Sequence, residues 1–217
     1  MLRSVCIAGI IVAATATSGF AGVTAAEYLP DASAYGGSLS LGITINTNNH
    51  NIHGGQTFLA MQSGLLQSIT IRAFRQNAAV ENLQIELYSL DAQGTLETLL
   101  AAGEIDIANN AFTGVSQQYT ADLSDPRVQV RAGTQYAIVI GQANGWDRDT
   151  QPASWSLPFV SGGGGYADGD SIQSNNGGAN FFGPLGRDFG FRVTVPAPAA
   201  AGMMALTGLI ATRRRRG

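Results

Sequence analysis

Apolar and polar residues alternate with a period of two through several short segments of this 217-residue chain, and that period belongs to a half-buried strand, not a helix. In SITIRAF, Ile69, Ile71 and Ala73 share one face while Thr70 and Arg72 share the other. LQIELYSL sets Leu83, Ile85, Leu87 and Ser89 against Gln84, Glu86 and Tyr88. FGFRVTV places Phe189, Phe191, Val193 and Val195 in register as a single closing strand. YAIVI, residues 136 to 140, is apolar throughout and flanked by Gly133 and Gly141, as expected of a central strand. TLETLLAAGEI is the one stretch with helical character, and it is read as a strand or loop.

Turn signals separate these segments: Asp91-Ala92-Gln93-Gly94, Ala108-Asn109-Asn110, Asp125-Pro126 and Arg131-Ala132-Gly133. Many short strands with no strand–helix alternation predict an all-β fold, an antiparallel β-sandwich. Roughly residues 26 to 195 suit one domain.

The two ends have a different character. Met1-Leu2-Arg3-Ser4 supplies one positive charge, and an uncharged stretch rich in Ile, Val and Ala follows to Gly22. Small residues at Val23, Ala25 and Ala26 then offer a peptidase site. These are the three parts of a secretory signal peptide, expected over residues 1–25 as a short helix with cleavage near Ala25 or Ala26. The chain's single cysteine, Cys6, falls inside this segment. The mature protein would hold none, which excludes disulfide frameworks, thiolate metal sites and cysteine catalysis.

The C-terminal segment, residues 196–217, begins Pro196-Ala197-Pro198, continues as an uncharged run from Ala199 to Thr212, and closes on Arg213, Arg214, Arg215 and Arg216. An apolar helix followed by clustered arginines predicts a membrane-inserted segment with its basic end in the cytoplasm. At about 1.5 Å per residue the run is shorter than the roughly 30 Å hydrocarbon core, so the insertion reads as transient. With Arg3 and the tail arginines removed, seven arginines face fifteen acids, and the chain has no lysine. Such an acidic surface repels phosphate backbones, which argues against a nucleic-acid partner.

The order of these tail elements resembles the PEP-CTERM sorting signal, with Ala197 where that family usually has Glu. The resemblance implies processing near Pro196–Pro198 by an exosortase, a membrane transpeptidase-like enzyme. The middle of the chain is similar to jelly-roll modules of bacterial extracellular proteins. It shares their Q-x-F start at Gln56-Thr57-Phe58, an L-x-S-I-x-I strand from Leu66, and an I-x-L-Y body ending at Tyr88. It also shares a G-T-x-Y-A-I-V strand from Gly133, then Trp155, Tyr166 to Gly169, the Asn176-Gly177 turn and a final strand from Asp188 to Val193. A jelly-roll-like sandwich is the fold this implies.

Candidate chemistry is sparse. His50 and His53 form an H-x-x-H with no third ligand nearby in sequence, and they read as a polar loop. Asp168 and Asp170 resemble a fragment of a calcium loop, and Asp147 and Asp149 are the acids that would have to join them to reach the six to eight oxygens calcium takes. No cofactor beyond such a structural calcium is expected. Gly162 to Gly165 lacks the lysine and the helix of a phosphate loop, and no G-x-S-x-G occurs.

Aromatic residues gather late in the chain. Trp155 is expected in the core, whereas Trp146 and Tyr166 are the candidates for stacking on a sugar ring. The expectation is a non-catalytic, exported envelope or extracellular-matrix protein processed through its tail. A surface carbohydrate-binding module, with extracellular polysaccharide as partner, is the alternative. A secreted hydrolase would require an acid pair that nothing in the sequence singles out.

Overall fold

The structure is a computed structural model, and it describes residues 22–41, 52–75, 82–106, 115–125, 127–142, 155–162 and 165–196. The segments carrying most of the signal-peptide and sorting-tail readings, 1–21 and 197–217, lie outside the described residues, as do His50, Trp146, Asp147 and Asp149.

The described chain is all-β, and every strand pairing in it is antiparallel. Its strands are β1 (Gly22–Tyr28), β2 (Gly37–Leu41), β3 (His53–Leu59), β4 (Gly64–Leu65), β5 (Ser68–Arg75), β6 (Leu83–Leu90) and β7 (Leu96–Ile105). There follow β8 (Gln117–Asp122), β9 (Gln129–Val130), β10 (Gln135–Gln142), β11 (Trp155–Ser161), β12 (Ser171–Ser174), β13 (Arg187–Phe189) and β14 (Phe191–Pro196). One sheet has seven strands in the order β1-β14-β5-β11-β13, with β2 also on β11 and β8 on β5. The other has five, β12-β3-β10-β6-β7, and β4 pairs with β9 alone.

Alternation within each strand decides what faces the space between the sheets. From the five-stranded sheet come Phe58, Leu83, Ile85, Leu87, Ile138 and Ile140; from the other, Ile69, Ile71, Tyr119, Trp155, Leu157, Phe191, Val193 and Val195. All are buried in one cluster. Phe58 and Phe191 meet across the interface at 5.6 Å between ring centroids, and Trp155 takes the edge of Tyr119 at 5.2 Å. Each such side chain contributes about 1.5–3 kcal/mol by leaving water. Two antiparallel sheets closed on one core make the fold β-sandwich-like.

The YAIVI segment occupies the middle of the five-stranded sheet as β10. Ala137 and Val139, on the face opposite the core cluster, are buried as well. The ambiguous TLETLLAAGEI segment is the outer strand β7, whose register against β6 breaks twice. Leu99 there stays 47% exposed, so the edge position explains the poor alternation.

Two expectations need correction. Phe189 and Phe191 do not lie on one continuous strand: β13 pairs with β11, while β14 pairs with β1 and β5, and Gly190 stands between them. The Gly190 carbonyl accepts the Arg72 amide at 2.9 Å, and a Cβ at Gly190 would crowd Tyr35 and the Arg72 side chain. The chain therefore changes sheet neighbours at a residue with no side chain. The domain also starts earlier than residue 26. β1 begins at Gly22, and Ala25 and Ala26 are 0% and 4% exposed, so a boundary drawn there falls inside a packed strand.

Candidate ligand groove

A candidate site is built on the outward face of the five-stranded sheet. Because successive side chains point to opposite faces, burying Phe58, Leu87 and Ile138 turns Thr57, Tyr88 and Ala137 outward. The registers Ala137↔Thr57 and Ala137↔Tyr88 put these three in one cross-strand row, and Gln135↔Leu59 forms the next row on the same side. The β6–β7 turn, Gln93 to Leu96, makes one wall, and the segments Tyr166–Asp170 and Gly178–Pro184 make the other. Together they enclose an open groove of about 1010 Å³.

Local chemistry holds those walls. Asp91 caps its turn by accepting the Gln93 and Thr95 amides at 2.9 and 2.8 Å, and Gly94 supplies the φ of +78° the turn requires. Opposite, Thr57 exchanges hydrogen bonds with the backbone of Asp170: its Oγ accepts the amide at 2.8 Å and its own amide donates to the carbonyl at 2.8 Å. Gly169 lies so close to the Thr57 backbone that a side chain there would collide with it. Phe182 is tied at both its amide and its carbonyl to Gln173 of β12, leaving its ring 46% exposed at the rim.

The lining is rich in neutral hydrogen-bonding groups and rings: Thr57, Gln93, Gln135 and Asn180 with Tyr88, Phe181 and Phe182. The Tyr88 hydroxyl donates to Glu86 at 3.0 Å, and Gln84 donates to the other oxygen of that carboxylate at 2.9 Å. Burial and the Glu86 charge push the Tyr88 phenol up to about 12, so it stays a neutral donor and acceptor. Asp168 and Asp170 also line the groove, and both are exposed. Among the described lining residues there is no His, Ser, Cys, Lys or Arg. The arrangement suits holding a hydroxylated ligand by amides and ring faces.

Tyr166 lies on the groove wall but is committed to structure. Its ring meets the edge of Phe191 at 5.2 Å, its hydroxyl donates to the Leu59 carbonyl at 3.3 Å, and burial raises its phenol. Trp146, the other predicted stacking residue, is outside the described residues. Among the described residues no group of three or more His, Cys, Asp or Glu could hold a metal, and Asp147 and Asp149, the acids expected to join Asp168 and Asp170, lie outside those residues.

His53 is on β3, and its ring fills the space over Gly141, where a Cβ would come within 2.8 Å of it. Its Nε2 is buried without a hydrogen-bond partner among the described residues, and desolvation holds its pKa below the ordinary 6.5. Pro196, the first residue of the predicted processing motif, is the last residue of β14.

Tyr88 was the missed residue with a readable signal, a lone aromatic on the polar face of LQIELYSL. Gln56 gave none. It is 1% exposed and joins the sheets by donating to Asp188 at 2.9 Å while accepting the Phe189 amide at 3.1 Å. No protein-family model matches the chain, and no curated protein matches it in sequence.

Proposed function

We propose that this chain is a non-catalytic, exported component of a bacterial cell envelope or extracellular matrix, a jelly-roll-like domain delivered through a C-terminal sorting signal. The observation that carries this reading is that the described sheet extends as far as Pro196, the first residue of the Pro196-Ala197-Pro198 motif. The apolar run and arginine cluster follow that motif in sequence. A cut within Ala197–Pro198 leaves every described strand intact. Prolines 196 and 198 also disfavour helix just ahead of themselves, presenting extended backbone to an exosortase-type enzyme. Deleting Arg213 to Arg216 tests this: unprocessed or misrouted precursor is expected, and normal processing and placement of the deletion variant would refute it.

A second reading is favoured by the groove, whose amides and exposed Phe182 ring suit a neutral polysaccharide better than a phosphorylated ligand. In this reading the domain holds extracellular polysaccharide at the surface. Retardation in gels containing neutral polysaccharide, lost in Phe182→Ala and Gln135→Ala, is the expected result. Equal retardation of wild type and both variants would remove the groove from the account.

A further inference from the structure

We infer that the leader is removed between Ala21 and Gly22, so that the mature chain begins on the first residue of β1. This rests on the export reading above and specifies a site within it.

Every residue from Gly22 to Thr24 has a partner on β14: Gly22 with Pro196, Val23 with Val195 and Thr24 with Thr194. Ala25 is fully buried, and its carbonyl accepts the Met61 amide at 2.7 Å. Cleavage after Ala25 would strip these pairings from the edge of β14. It would also create a charged amino group at Ala26, which is only 4% exposed and packed in the core. An ammonium there loses hydration with nothing to replace it.

Gly22 carries the opposite marks. It is exposed, so a new ammonium would stay in water. It is also fitted to its place: a Cβ would strike the Thr194 methyl and come within 2.8 Å of Gln67 Oε1. That close seat against Thr194 of β14 and the Gln67 side chain marks position 22 as part of the domain, not of a discarded leader.

The residues before it satisfy the peptidase. Gly19 and Ala21 are the small side chains at the third and first positions ahead of the bond, with Phe20 between them. The ten-residue apolar run Val5–Ala14 is then separated from the cut by Thr15 to Ala21. Ala14-Thr15-Ala16 has the same small-x-small form, but it leaves only two residues between apolar run and cut.

The test is N-terminal sequencing and intact mass of the exported protein expressed from the full chain. A single mature start at Gly22 is expected, and Ala21→Leu should abolish it with accumulation of precursor. A start at Ala26, Glu27 or Thr17, or an unchanged mature start in Ala21→Leu, overturns the assignment while export itself stands. Protein that stays inside the cell with Met1 retained overturns the export reading with it.

Discussion

Gly22 and Pro196 are register partners, the first residue of β1 opposite the last residue of β14. The chain therefore enters and leaves the domain at adjacent points on one sheet.

That relationship is testable through the neighbouring pair Thr24 and Thr194, also register partners. Antiparallel partners fall within the Cα spacing a disulfide needs. Thr24→Cys with Thr194→Cys should cross-link in a mature domain that has no other cysteine. The closed loop of about 170 residues predicts a gain of roughly 3–5 kcal/mol, reversed by reductant. A pair that stays reduced under oxidising conditions would mean β1 is not seated on β14 as described.

The period-two reading of β6 makes a sharper claim about adjacent residues. Ile85 is fully buried between the sheets, whereas Gln84 faces outward and donates to Glu86. Ile85→Asp should destabilise the domain by on the order of 3 kcal/mol or more, through an unpaired charge in the core. Gln84→Thr, keeping β propensity and losing one outward hydrogen bond, should cost less than about 1.5 kcal/mol. Chemical denaturation measures both, and equal losses would place the register one residue off.

Legibility followed physical range. Strands such as β5, β6 and β10 could be read because burial on one face or both writes itself into local alternation. β7 and the β13–β14 break could not. An edge strand has little to bury, and the break at Gly190 depends on Arg72, far away in the chain. The same distinction holds for the groove. Tyr88 showed itself as an aromatic on a polar face, but its neighbours Gln135, Asn180 and Phe182 come together only through pairings across β3, β10 and the 178–184 segment. The start of β1 was hidden for a different reason. Val23, Thr24, Ala25 and Ala26 are as small as a peptidase site and as apolar as a strand, and only the partner β14 separates the two.

His53 gives the domain a pH signature with a definite sign. Its folded pKa lies below the ordinary 6.5 because burial disfavours the imidazolium. Between those two values the unfolded chain binds more protons, so this group's contribution is complete above about 6.5 and is lost as pH falls toward the folded value. Thermal melting from pH 7.5 down to 5 should show a decline that His53→Phe flattens. An unchanged decline in His53→Phe would assign it to other groups.

The central claim is that the domain reaches its destination without its tail. Intact-mass analysis of surface-associated and extracellular protein from cells expressing the full chain tests it most directly. The account predicts a C-terminus within Pro196–Pro198, bare or joined to an envelope component, with no Arg213–Gly217 sequence remaining. Surface protein that still ends in the four arginines and Gly217 would contradict it.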